Sequence, residues 1–157
     1  MVPEYKILPR PRGTAAEILQ AKGREVHAIG PRETVFDAVV RMNGLAVGAL
    51  LVMDGTSLVG IVSERDYTRK VAILGRSSRD TCVQDIMTAE VYTVQLSTTL
   101  AECMHVVTRH SVRHLPVLDG GQVVGVISIG DLVRAMLAQQ AETIDRLNSF
   151  VGASYPS

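Results

Sequence analysis

Two hydrophobic rhythms alternate along the chain, and they do so twice in the same order. Val35, Ala38, Val39 and Met42 recur at i, i+3, i+4 and i+7, the period of one helix face. Leu100, Cys103, Met104 and Val107 repeat that pattern. Each run opens on a threonine with an acid three residues on, Thr34 with Asp37 and Thr99 with Glu102, the arrangement of a capping box. Short apolar runs surround these helices. Residues 26–29 and 91–94 precede them; 50–53 and 58–62 follow across Asp54-Gly55, and 115–118 and 123–127 follow across Asp119-Gly120-Gly121. Such runs predict strands, the later ones joined as tight hairpins. A second helix is predicted after Ser63 and after Ser128. The order is β-α-β-β-α, twice.

A shift of 65 residues lays the two halves on one another without a gap in the hairpin region, pairing Asp54 with Asp119, Gly55 with Gly120, Gly60 with Gly125, Ser63 with Ser128 and Asp66 with Asp131. One copy, about 50 residues long, is too small to cover both faces of its own sheet. Two copies packed sheet to sheet about a pseudo-twofold axis would share a core, giving an α/β fold of tandem repeats. The expected organisation is an N-terminal extension over residues 1–20 with a short helix at 14–20, repeats at 21–76 and 85–140, a polar linker at 77–84, and a helical extension and tail at 141–157. Ile144, Leu147 and Val151 form an apolar stripe in that extension, suited to packing on the module or on another chain.

Composition narrows the function. Sixteen basic and sixteen acidic residues balance, so no global field draws in nucleic acid or an anionic membrane. The longest apolar run, residues 45–53, is too short to span a bilayer, and the N-terminal stretch has no apolar signal core; a cytoplasmic location is expected. Cys82 and Cys103 form no C-x-x-C pair, and Cys103, on a helix stripe, reads as a small buried hydrophobe. His105, His110 and His114 cross from helix into strand, so a metal site is not indicated. No G-x-S-x-G, Walker A or G-x-G-x-x-G motif occurs, so the usual parts of hydrolases, P-loop enzymes and Rossmann cofactor sites are missing. No enzyme activity is expected.

The remaining signal is Ser63-x-x-Asp66 and its twin Ser128-x-x-Asp131. Either is explained as a helix cap or as a ligand cradle, since free helix N–H groups beside an acid serve both. A paired β-α-β-β-α unit ending in G-h-h-S-x-x-D resembles the cystathionine β-synthase (CBS) domain, whose tandem is called a CBS pair or Bateman module. The resemblance covers about residues 20–140. It implies a module that binds AMP, ADP, ATP, NAD or S-adenosylmethionine in two clefts between the repeats, with AMP or NAD the first choices. It also implies that Asp66 and Asp131 hold ribose, a bidentate charge-assisted contact, beside Ser63 and Ser128, with Ile61 and Ile127 as apolar walls. Arg113 and His114, directly before Leu115-Pro116, would meet phosphate near Asp131. The first repeat has Gly48 and Ala49 there, and carries Glu64 and Arg65 inside its motif where the second has Ile129 and Gly130. Lys22, Val26 and His27 for one cleft, and Met87, Val91 and Tyr92 for the other, would read the adenine. Lys22 as a solvated loop lysine, Met87 as core and Arg113 as a surface arginine remain open alternatives. Leu51 stands where the second repeat has Pro116, a change expected to act on the strand edge more than on the ligand.

The function implied is an adenine-nucleotide sensor that acts as a homodimer and modulates a partner protein in trans, that partner not being named by the sequence. A ligand-independent dimerisation scaffold is the alternative.

Overall fold

The computed structural model describes residues 11–154; residues 1–10 of the expected N-terminal extension and the last three of the tail lie outside them. The first repeat comprises β1 (Ala28–Ile29), α2 (Val35–Leu45), β2 (Ala49–Asp54), β3 (Ser57–Ser63) and α3 (Glu64–Tyr67); α1 (Ala15–Lys22) precedes it. The second comprises β4 (Val94–Gln95), α4 (Leu100–His110), β5 (His114–Asp119), β6 (Gln122–Ser128) and α5 (Ile129–Ser154). Each forms a three-stranded sheet, ordered β1-β2-β3 and β4-β5-β6, with a parallel first pair and an antiparallel hairpin.

Small irregularities repeat with the fold. The hairpin register slips between Val52 and Met53, and at the twin position between Val117 and Leu118. Helices α2 and α4 both end on a non-glycine residue in the left-handed region, Ala46 (φ 54°) and Ser111 (φ 53°). The thriftiest account is that both repeats need the same sharp exit into β2 and β5. Thr99 and Glu102 form both halves of their capping box, and the Thr34 hydroxyl accepts from the Asp37 amide at 3.1 Å.

The two first strands are shorter than the apolar runs predict, and they start one register apart. The Leu51 amide donates to the His27 carbonyl at 3.0 Å. Pro116 occupies the twin position and has no amide to give, and β4 accordingly begins at Val94 rather than at the twin of Ala28. After Ser63 the expected helix is brief: four residues of α-helix, then a wider π turn over Thr68–Ala72. Its counterpart α5 runs for 26 residues.

Each repeat is completed by the segment that precedes the other. Leu19 of α1 is fully buried in the second repeat's core with Leu100, Leu115 and Ile127, and Thr14 bridges Thr99. Val83 and Ile86 are buried in the first repeat's core with Leu50, Val52 and Val62, and Cys82 bridges Thr34. Gly125 and Gly60 permit both contacts: a Cβ on Gly125 would lie 2.7 Å from Leu19 Cδ2, and one on Gly60 would lie 2.6 Å from Met87 Sδ. Cys103 is completely buried, and burial pushes its thiol up to about 11.

Candidate functional site

The backbone itself builds the Ser-Asp corner. Ser128 ends β6, and the first turn of α5 returns Asp131 over it. The Ser128 amide donates to Asp131 Oδ2 at 2.8 Å, and the Asp131 amide donates to Ser128 Oγ at 3.2 Å. The cap thus aims the carboxylate at the end of the strand rather than along the helix. Two cations then close on it. Lys22, the last residue of α1, places Nζ 2.5 Å from Asp131 Oδ2 and 2.8 Å from the Val126 carbonyl. Gly23, at φ 102°, turns the chain away immediately afterwards, where a side chain would be strained. Arg134, one helical turn beyond Asp131, donates to Oδ1 at 2.6 Å. Gly130 lies beneath that return, where a Cβ would sit in ordinary van der Waals contact with Arg134 Nη1 at 3.4 Å.

Asp131 is 7 % exposed. Burial pushes its carboxyl up, but the hydrogen bonds from Lys22, the Ser128 amide and Arg134, with the Lys22 charge, outweigh it and bring the pKa down to about 2. His114 opens β5 directly across from Ser128. Burial, then the charges of Lys22 and Arg113, lower its pKa against the pull of Asp131, so the imidazole is neutral at pH 7.

These groups line a cleft of about 520 Å³ built from both repeats. Lys22, His114, Val126, Ser128, Asp131 and Arg134 border one side; His27, Gly48, Ala49, Leu51 and Ile61 border the other. The Asp131 and Glu25 carboxylates, the Lys22 and Arg134 cations, the His114 and His27 imidazoles and an aliphatic wall therefore face one space. Such a set can accept vicinal hydroxyls, neutralise a phosphate and cover a flat apolar ring.

Several residues expected at the clefts stand elsewhere. Ile127 is completely buried in the second repeat's core and cannot form a wall; strand alternation gives that place to Val126, on the same face as Ser128. Arg113 is exposed, lies in the bend before β5 and does not line the Asp131 cleft. Pro116 is buried within β5, and Val26 is not among the lining residues. Val91 instead lines a separate cavity of about 450 Å³ between the two hairpin turns, with Thr56, Leu58, Thr93, Leu118 and Gln122. Glu25, Val47, Leu50, Val126 and Arg134 are among the cleft residues that the expected set omitted; spacing of three from Asp131 and of two from Ser128 would have marked Arg134 and Val126.

The twin corner is built alike and furnished differently. Asp66 Oδ2 accepts from the Ser63 amide at 2.9 Å and hydroxyl at 3.0 Å. Its cation is Lys70, at 3.1 Å from Oδ1 and also bound to the Ile86 carbonyl at 2.8 Å. Arg65 and Glu64 are exposed on α3. Met87, the twin of Lys22, lies over Gly60 and packs on the first repeat's core. Thr88 pairs with Ile61 by two backbone bonds, 3.0 and 2.8 Å long. Tyr92 stacks on His110 with ring centroids 3.8 Å apart. Among the described residues no group of three or more His, Cys, Asp or Glu could hold a metal ion, and no helix is long and apolar enough to cross a membrane.

Comparison with known proteins places this architecture. The model of the CBS domain matches residues 15–73 and 83–138. The mitochondrial CBS domain-containing protein CBSX3 of Arabidopsis thaliana is 37% identical over 151 residues, covering 90% of this chain and 73% of that protein. A CBS-domain protein of Burkholderia ambifaria ascribed to signal transduction superposes with a TM-score of 0.79 at 49% identity, over 82% of this chain and 96% of that one. The CBS-domain protein ATU1752 of Agrobacterium tumefaciens gives 0.75 at 34% identity, over 79% and 99%. The chain belongs to the CBS-domain family, as a pair of CBS repeats.

Proposed function

We propose that this CBS pair senses an adenosine-containing ligand in the Asp131 cleft and modulates a partner protein in trans. The observation that carries the reading is a buried, ionised carboxylate whose two outer partners are both side-chain cations lining the same cleft. Ribose hydroxyls would replace Lys22 and Arg134 on Asp131, and the released cations would meet the phosphate. Leu51, Ile61 and Val126 would cover the purine. AMP fits this charge balance. NAD is next, because Lys22 and Arg134 approach from two sides and suit a diphosphate; ADP and ATP follow. S-adenosylmethionine brings a positive sulfonium toward the same cations and ranks last.

Because both repeats line the cleft, a ligand there biases how the repeats, and a homodimer of them, pack. A partner that prefers one packing reads the ligand through that bias. The regulatory role fits a family whose members are generally non-catalytic, and the signal-transduction description of the Burkholderia relative supports it.

A thermal-shift panel of AMP, ADP, ATP, NAD and S-adenosylmethionine tests the reading, since binding to the native state raises Tm. AMP or NAD should raise it most. If no adenosine compound moves Tm, and the protein purifies without bound nucleotide, the sensor reading falls. The scaffold reading, favoured by the exposed apolar side chains of α5, predicts that null result.

A further inference from the structure

Helix α5 leaves the module after serving it. Leu132 is buried in the second repeat, with Ala135 and Met136 packed against its core, and Gln139 exchanges two hydrogen bonds with the backbone of Arg12. Past that point the polar bonds of Glu142, Thr143 and Arg146 stay within the helix. The helix nevertheless continues to Ser154, which adds about 20 Å at 1.5 Å per residue. A projecting helix of that length draws its stability from packing of an apolar face.

Such a face is present, about 100° round the helix from the core-facing one. Val133, Leu137, Ile144, Leu147 and Val151 are 45% to 60% exposed. With Gln140 they step by 4, 3, 4, 3 and 4, the 3.5-residue period of a coiled-coil seam rather than the 3.6 period of a helix lying on a globule. In heptad terms Leu137, Ile144 and Val151 fall at a, and Val133, Gln140 and Leu147 at d.

The charges agree with a self-partner. Glu142, Asp145 and Arg146 fall at the outer f, b and c positions. The flanking e and g positions hold Met136, Ala141, Thr143, Asn148 and Phe150, and the one charged residue there, Arg134, is already paired with Asp131. A second copy therefore meets no like charge at the seam. The five exposed side chains offer on the order of 500 Å² per copy, so two copies bury on the order of 1,000 Å², the size at which specific interfaces begin. Orientation follows from Gln140. In a parallel pair it meets its own twin and the two amides bond each other; in an antiparallel pair in this register it meets Ile144 and is buried unsatisfied.

We propose that α5 forms a parallel two-stranded coiled coil with α5 of a second copy of this chain. The proposal is independent of the ligand reading, and its test contains no nucleotide. Sedimentation velocity on the full chain should show a concentration-dependent dimer. The double variant Ile144→Glu/Leu147→Glu should weaken dimerisation at least 100-fold. Both side chains are exposed, so the variant should melt at the wild-type temperature in dilute solution. Gln140→Cys should give a disulfide-linked dimer on oxidation, while the wild type, with Cys82 and Cys103, does not. A chain that is monomeric at all concentrations, or a dimer that the glutamates leave intact, overturns the proposal. Failure of Gln140→Cys to cross-link overturns the parallel register.

Discussion

Asp131 and Asp66 end the same four-residue motif at the same place in two copies of one unit, yet they sit in different electrostatic surroundings. Both carboxylates take the strand-end serine amide, at 2.8 and 2.9 Å. Beyond that bond they diverge. Asp131 holds Lys22 and Arg134, and its neighbour on β6, Val126, offers a carbonyl that accepts from the Lys22 side chain. Asp66 holds Lys70, and its neighbour Ile61 is sealed by backbone pairing to Thr88. Across the hairpin Ser128 faces His114, whereas Ser63 faces Ala49 at the twin position. The motif sets the cap in both copies. The segment preceding the other repeat differs at the two caps: α1 brings Lys22 to Asp131, whereas the linker seals the strand edge beside Asp66 through Thr88.

The strongest way to break this comparison is to remove each carboxylate. Asp131→Ala should abolish the nucleotide-induced rise in Tm, whereas Asp66→Ala should keep at least half of it. A full shift in Asp131→Ala would place the ribose elsewhere. Stability should divide in the same direction. The Asp131 pKa of about 2 lies below the ordinary 3.8, so between those values the unfolded chain binds more protons than the native one. The stabilisation is complete above about pH 5, is lost as pH falls toward 2, and amounts to about 2 kcal/mol. Asp131→Ala should show that loss already at pH 7 in denaturant melts, with Asp66→Ala costing about 1 kcal/mol, the value of a cap.

The glycine beneath each borrowed segment comes next. Gly125→Ala drives a methyl into Leu19, which is buried on all sides, and should cost about 1–3 kcal/mol by overpacking. Gly60→Ala meets Met87, which is half-buried and can swing aside, so its cost should be smaller despite the Thr88 carbonyl 3.0 Å away. Equal costs would mean that α1 and the linker are seated alike.

Lys22→Met writes the first repeat's residue into the second site. It should lower stability by about 1 kcal/mol at pH 7, discounted because Lys22 is partly solvated, and shift the acid loss at Asp131 to higher pH. Nucleotide affinity should fall as well, through the missing phosphate contact. The reverse change, Met87→Lys, should not create a second site, because the Ile61 carbonyl is already taken by Thr88. A gain of binding stoichiometry in Met87→Lys would show that the sealed strand edge is not what separates the twins.

What was legible in the sequence follows from the reach of each signal. Two periodicities and a 65-residue repeat are local or self-referential, and they gave the elements, their order and the fold class. The resemblance pointed to Lys22 at a cleft, but two features of that cleft had no legible signal. Ile127 for Val126 was an error of strand face, in a run where every residue from 123 to 127 except Gly125 is aliphatic, so alternation had no polar marker. The exchange of segments had no local signal: Lys22 meets Asp131 109 positions away, and Leu19 meets Gly125 through a contact that no periodicity encodes. Arginine within the first motif alone also becomes intelligible. Asp131 takes its helix cation from Arg134 and Asp66 from Lys70, so Arg65 is left exposed on α3.

The smallest effect tests the electrostatic side of the comparison by itself. His114 has a lowered pKa because it is buried and because Lys22 and Arg113 are near, with Asp131 opposing them. Below 6.5 the unfolded chain is therefore protonated at this position before the native one. The stability tied to neutral His114 is complete above 6.5 and declines as pH falls through the window beneath it. Denaturant melts between about pH 5 and 7 should show an acid slope that His114→Ala, which copies Ala49 of the first repeat, reduces. His27, His105 and His110 stay in both proteins, so the difference belongs to His114. In Lys22→Met the cation that depresses the imidazole is gone while Asp131 remains, and the His114 resonance should titrate at higher pH than in the wild type. An unchanged titration there would mean that burial and Arg113 set the imidazole, and that Lys22 acts on Asp131 without shaping the rest of the cleft.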